Sequence, residues 1–200
     1  MSFSDNIWWT RKARIQTEKR LLKNAFHANL LLLWYSFCSA ASAIYYLNFN
    51  SNATTSALAG VVWTIFSVLV LCVAGFINGL TFKERAGLAK VCYESLNKLY
   101  KRSKAETSDS NLHYQSAEYE QILSVCENHT DHDYYLALFI EHVTNSSKPD
   151  PVTRLKQGLD RRPTWYHWVY LTKSYLLYFL LLLFLYSLPI ILFLALEKII

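Results

Sequence analysis

From Asn24 to Phe82 the chain runs 59 residues without an Asp, Glu, Lys or Arg, and a second uncharged stretch extends from Ser174 to Leu196. A soluble fold does not tolerate this, because a helix on the surface of a soluble domain shows a charged face within about two turns. The average composition hides the pattern: over 200 residues the chain is 52% hydrophobic and 18% charged, values an ordinary soluble domain could have. The local pattern therefore sets the class as an all-α integral membrane protein and weighs heavily against a soluble enzyme.

Three spans are legible. Ala28 to Leu47 holds 20 residues, Ala57 to Leu80 holds 24 and Tyr175 to Leu196 holds 22, against roughly 20 needed to cross about 30 Å of hydrocarbon. Asn48 to Ser56, reading NFNSNATTS, is a polar turn that makes the first two spans an antiparallel hairpin. Pro189 should bend the third span near its far end. Lys and Arg number six before the first span, none in the turn, 13 between Lys83 and Lys173, and one in the tail. This asymmetry predicts a cytoplasmic N-terminus and middle segment and an external C-terminus. A cleaved signal peptide fits poorly, since such peptides run about 15 to 30 residues in all and the polar arm alone is 27 long. Cys38, Cys72, Cys92 and Cys126 follow no framework spacing, and their expected places in lipid or cytoplasm argue against disulfides.

The polar part divides by charge. Met1 to His27 carries +4, Lys83 to Lys104 +5, Ala105 to Thr153 −8 and Arg154 to Lys173 +4. Basic blocks thus flank every span on one side, as an anionic leaflet favours; they read as topology determinants, and no direct nucleic-acid binding is expected. Three parts follow: residues 1–104, a hairpin with paired cytoplasmic helices; 105–163, an acidic helical segment; and 164–200, an aromatic belt (Trp165, Tyr166, Trp168, Tyr170) leading into the third span.

Helical detail comes from periodicity and caps. Ala89, Cys92, Leu96 and Leu99 recur at helical spacing beyond the second span, which predicts one uninterrupted helix of over 40 residues. Its expected partner is the N-terminal arm through Ile15, Leu22 and Ala25. Ser103 to Leu112 reads as a loop and His113 to Cys126 as a helix. Thr130 caps a further helix with Leu136, Phe139 and Val143 on one face, and Asp150-Pro151 opens another that Arg161-Arg162-Pro163 ends.

Gly75 and Gly79 form a GxxxG pattern, and Ser36 with Ala40 and Ser39 with Ala43 offer small faces on the first span, all suited to close helix packing in lipid. Ser42, Thr64, Ser67 and Asn78 are the candidate pore-lining groups, since each needs a partner or water inside the bilayer. No span carries an ionisable carboxylate, Lys or Arg, which disfavours proton relays and voltage sensors. Arg14 and Glu18, four apart on the arm, can pair with each other or reach Glu84 and Arg85 across the hairpin, and form a candidate gating set. Cys126, His129 and His132 are the one metal-like cluster, but steps of three do not converge on one ion, so they read as solvated polar residues with no metal. There is no phosphate loop, dinucleotide fingerprint or catalytic motif, hence no cofactor and no visible seat for catalysis.

The arm Ile7-Trp8-Trp9-Thr10-Arg11-Lys12-Ala13-Arg14-Ile15, then Glu18-Lys19-Arg20-Leu21-Leu22, followed by Trp34-Tyr35-Ser36-Phe37 in the first span, resembles the SLATT domains. Lys83-Glu84-Arg85-Ala86 and Cys92-Tyr93-Glu94-Ser95-Leu96-Asn97-Lys98-Leu99-Tyr100 are similar to that family's helix after the second span. The nearest resemblance is to the fifth SLATT family, and it covers roughly residues 5 to 145; the third span departs from the family's two-span description. The resemblance implies a homo-oligomeric, pore-forming or depolarising effector of antiphage defence in the bacterial inner membrane, acting by abortive infection. It also implies an upstream sensor from the same locus, with a reverse transcriptase as the associate. A membrane-anchored adaptor that recruits a cytoplasmic partner through the acidic block is the alternative.

Overall fold

The computed structural model describes residues 3–49, 53–105 and 112–199. Six helices follow in order: α1 Phe3–Phe49, α2 Ala53–Gly79, α3 Phe82–Ala105, α4 Leu112–Ser124, α5 Asp131–Thr144 and α6 Trp165–Ile199. Among the described residues extended pairing is limited to a single bridge between Pro149 and Lys156, so the chain is all-α. Three of its helical stretches are long and apolar enough to cross a membrane. The centre of the expected hairpin turn and most of the expected Ser103 to Leu112 loop lie outside the described residues.

The chain forms two compact units, a polar one from Met1–Lys23 with Phe82–Leu176 and a membrane one from Asn24–Thr81 with Leu177–Ile200. In the membrane unit α1 and α2 are antiparallel, and Tyr46, Ala59, Trp63, Phe66, Val70 and Leu196 form the buried core. Most other apolar side chains there face outward, Leu33, Leu71 and Phe76 among them, as lipid-facing positions do. Side-chain bonds join α1 to α6 along its length: Tyr178 to Asn24 at 3.4 Å, Trp34 to the Tyr186 carbonyl at 3.0 Å, and Tyr45 to Glu197 at 2.9 Å. Rising numbers on one helix meet rising numbers on the other, so α1 and α6 run parallel.

Pro189 is buried inside α6 and lacks the N–H that would bond the Leu185 carbonyl. The Tyr35 hydroxyl donates to that carbonyl at 2.7 Å. In lipid no water can do this, so Tyr35 of the first span supplies the hydrogen bond that a proline in the third makes necessary.

In the polar unit the stripe on α3 is buried as expected, with Ala86, Ala89, Cys92, Leu96 and Leu99 all inside. Ile7 of the arm packs against Cys92, Leu96 and Leu99, with Tyr119, Ile122 and Leu123 of α4 around them. The arm follows the expectation only in part: Ala25 is buried and Ile15 half-buried, but Leu22 is exposed. The buried face is Ile7, Trp9, Ala13, Arg14, Gln16, Thr17, Leu21 and Ala25. Polar residues complete that face, which is why a purely apolar reading misplaced part of it. On α5 the buried side is likewise Asp133, Ala137 and Leu138, while Val143 is exposed; Phe139 instead meets Trp168 of α6 at 4.4 Å between ring centroids.

Two further expectations are corrected. The helix expected to run on from the second span is interrupted: α2 ends at Gly79, α3 begins at Phe82, and Thr81 between them has φ +46°. A left-handed residue cannot continue a right-handed helix. The helix expected from Asp150-Pro151 is a single turn. The Asp150 carboxylate does accept from the N–H groups of Val152 and Thr153, but Arg154 takes φ +54° and the chain folds back so that Asp150 N–H donates to the Leu155 carbonyl at 2.8 Å. The segment is short, contains Gly158 and has no apolar face to bury. By contrast Thr130 caps α5 as expected, in a reciprocal box with Asp133.

Candidate functional site

The polar groups of the hairpin meet on one seam. Ser67 donates to the Trp63 carbonyl at 2.9 Å, which uses its only proton, so Ser39 is the donor in the 2.6 Å bond between the two hydroxyls. Thr64 donates to the Gly60 carbonyl at 2.8 Å. A cavity of about 220 Å³ opens beside this bond, lined by Ser39, Ala43, Tyr46, Gly60, Trp63, Thr64 and Ser67. That is room for several waters. The buried indole N–H of Trp63 has no partner, and in a membrane such a group demands an acceptor.

The candidate packing and lining residues are distributed as follows. Ser39 and Ser42 are buried within the unit, Ser36 and Ala40 are exposed, and Ala43, also exposed, lines the cavity with Ser39. Gly75, Gly79 and Asn78 are exposed on α2, and a Cβ built at either glycine meets nothing within 4 Å. The GxxxG face is therefore unused inside one copy. Of the four candidate pore residues, Thr64 and Ser67 line the cavity and Ser42 and Asn78 do not.

Of the four candidate gating residues, Arg85 joins an ion pair of the polar unit, whereas Arg14, Glu18 and Glu84 take part in none among the described residues. Arg14 is 2% exposed and bonds Asn128 through Nη2 at 3.3 Å rather than Glu18. Arg85 binds Glu127, and Glu84 is exposed. Asp133, fully buried, receives Arg20 at 3.0 Å and Thr17 at 3.0 Å. Burial alone would raise its pKa, but the bonds from Arg20 and Thr130 outweigh this and hold the carboxyl below its usual range. Lys12 pairs with Glu141, and Arg102 with Glu118 at 2.7 Å. Asp133 and Arg20 are the residues that sequence reading missed as a pair. The cap signal located Asp133, but nothing local tied it to a partner 113 residues away.

His129 and His132 are half-buried rather than solvated, each with an unpartnered buried Nδ1. Burial first, and nearby cations second for His129, push both below the usual histidine range. No group of three or more metal-ligating side chains converges among the described residues.

These features define the class: an all-α membrane protein with an apolar hairpin, a third apolar helix parallel to its first, and a separately packed, ion-paired polar unit. Within that class the chain belongs to the family described as SMODS and SLOG-associating 2TM effector domain family 5, whose profile matches residues 1–196. The matched range takes in most of the third apolar helix. No curated protein and no solved structure matches the chain.

Proposed function

We propose that this protein is a non-enzymatic effector that assembles as a homo-oligomer in the bacterial inner membrane and permeabilises it in antiphage defence, under control of a sensor acting on its polar unit. Membership in an effector-domain family supplies the context. The observation that carries the reading is the empty small-residue face at Gly75 and Gly79, exposed on a membrane helix with open space where a neighbour would pack. Three spans in one copy are too few to enclose an aqueous lumen, so conduction requires several copies. The hydroxyl seam at Ser39, Thr64 and Ser67 is the polar surface such copies could bring together.

The Lys and Arg asymmetry puts the N-terminus and the polar unit inside and the C-terminus outside. The parallel course of α1 and α6 is consistent with this. One observation counts against the adaptor reading: four of the nine acidic residues of the block, Glu118, Glu127, Asp133 and Glu141, are paired to basic residues within its own unit.

The test is to express the wild type, Gly75→Leu and Gly79→Leu with the rest of the locus, challenge with phage, and follow membrane potential with a voltage-sensitive dye. Cross-linking of extracted protein reports assembly in parallel. Both variants should insert normally but assemble and depolarise less. Monomeric protein at every concentration, together with unaltered depolarisation in both variants, overturns the reading.

A further inference from the structure

Two arginines of the polar unit, Arg154 and Arg162, are exposed and enter no ion pair among the described residues. The acidic residues near them in the chain are engaged elsewhere. The Asp150 carboxylate accepts from the N–H groups of Val152 and Thr153, Asp160 pairs with Arg161 at 3.2 Å, and Glu141 pairs with Lys12. Both arginines line one cavity of about 590 Å³, together with Lys156, His142 and Trp165, and no carboxylate lines it. That volume lies within the range of about 300 to 1,000 Å³ found for small-molecule sites.

The segments that build the cavity are tied down. Pro149 pairs with Lys156 across a turn that carries Arg154 at φ +54°. The Lys156 ammonium donates to the His142 and Asn145 carbonyls, both at 2.6 Å. The carbonyl end of α5 favours a cation there, and one of the three ammonium N–H groups stays unused. The Asn145 amide donates to the Gln157 carbonyl, and Gln157 N–H to the Ser147 hydroxyl, each at 3.0 Å. On the other side Pro163 fixes the backbone after Arg162, and α6 starts at the cavity with Thr164 and Trp165. The positive end of that helix adds to the field. His142 adds no charge: burial first, then Lys156 and Arg162, hold it below the usual histidine range. Its buried Nδ1 has no partner.

Three cations facing one cavity repel one another, and an anion that bridges them relieves the repulsion. Guanidinium groups match phosphate oxygens through paired, parallel N–H bonds, and the Trp165 indole, 77% exposed, offers a flat apolar face beside them. We propose that this cavity binds a phosphorylated small molecule, with Arg154, Arg162 and Lys156 holding the phosphate and Trp165 packing on the organic group. A lipid headgroup has the same phosphate chemistry, but the place of the cavity favours a soluble ligand. The first turns of α6 pack on α5, with Tyr166 and Tyr170 against Tyr135 and Trp168 against Phe139. Along α6, Trp165 lies about 15 Å before Tyr175, where the third span begins, whereas a headgroup layer is about 5 to 8 Å deep. The assignment does not depend on how the membrane unit acts.

The test uses full-length protein in an uncharged detergent, with pyrophosphate, inorganic phosphate and phenyl phosphate as probes in isothermal titration calorimetry. Wild type should bind pyrophosphate at a single site per chain. Arg154→Gln and Arg162→Gln should each weaken it about tenfold or more, as loss of a charged hydrogen bond does. Lys101→Gln, which removes an exposed charge from α3, should change it by less than about twofold. Phenyl phosphate should bind about two- to tenfold tighter than inorganic phosphate, a gain lost in Trp165→Leu. Circular dichroism of each variant establishes folding. Native mass spectrometry of retained phosphatidylglycerol separates the two phosphate sources, since wild type and both arginine variants should retain equal amounts. No binding of pyrophosphate by folded wild type, binding unaltered in both arginine variants, or lipid retention lost with them, overturns the proposal.

Discussion

Removing the Tyr35 hydroxyl tests whether the first span exists in its present form to serve a proline in the third. Tyr35→Phe leaves the ring, which packs 5.6 Å from Phe66 between centroids, and deletes only the donor to the Leu185 carbonyl. Interhelical hydrogen bonds in membranes average about 0.6 kcal/mol and reach about 1.7. This one should fall near the top of that range, because position 189 has no N–H and the carbonyl has no intrahelical alternative. We expect a cost of about 1.5 kcal/mol in the native background. In Pro189→Ala the restored N–H can bond Leu185, so Tyr35→Phe should then cost only about 0.5 kcal/mol. The coupling of about 1 kcal/mol exceeds the scatter of about 0.3 to 0.5 kcal/mol expected for independent sites. A double-mutant cycle in bicelles, with unfolding followed by tryptophan fluorescence, measures it. Equal costs of Tyr35→Phe in the two backgrounds would refute the argument.

Other expected outcomes rest on the polar unit and on the helix break. Arg20→Met leaves Asp133 buried without its cation and should destabilise that unit by about 3 to 5 kcal/mol; Asp133→Ala should cost less, because Arg20 is partly exposed and can turn to water. Differential hydrogen exchange of α5 against α3 would read both. Asp133 has a folded pKa below its unfolded one, so its contribution is complete above about pH 4 and is lost as pH falls through the folded value. His129 and His132 are also lowered, so their contribution is complete above about pH 6.5 and erodes as pH falls below it. A pH series of exchange rates should show both windows, the higher one shrinking in His129→Gln. Thr81→Gly should raise stability by about 0.5 to 1 kcal/mol, since a β-branched residue at φ +46° is strained where glycine is not; a loss in thermal unfolding would count against that strain.

Features governed by short-range physics were legible in the sequence. The uncharged runs located the spans. The 3-4-3 spacing of Ala89, Cys92, Leu96 and Leu99 marked a face that is entirely buried, and Thr130 marked the start of α5. What periodicity could not supply was the partner of each polar residue. Arg14, Gln16 and Thr17 sit on the inner face of the arm, where a hydrophobicity reading assigns them to solvent. At Asp150 the capping signal was real and was expressed, but a cap starts a helix only when the following turn has something to bury. Gly79 was read for packing, and it is also the last residue of α2.

The charge alternation along the chain serves two ends at once, and the distinction bears on topology. The N-terminal arm and α3 supply Lys12, Arg20, Arg85 and Arg102, and the acidic stretch returns Glu141, Asp133, Glu127 and Glu118 to them. Four of the nine acidic residues of the −8 block are thus the counter-charge of the arm and α3, folded into the same unit. Such pairing does not weaken the orientation argument, because that argument counts Lys and Arg near the spans during insertion and is nearly indifferent to Asp and Glu. It does weaken an attraction to anionic lipid, which depends on cations left unpaired after folding. A polar unit held by several pairs, each of modest worth in exposed settings, and by one buried pair at Asp133 can be loosened stepwise. The sites where loosening would begin are those where the balance of charge is already incomplete, and Arg14, whose Nε and Nη1 are buried without a hydrogen-bond partner, is the clearest of them.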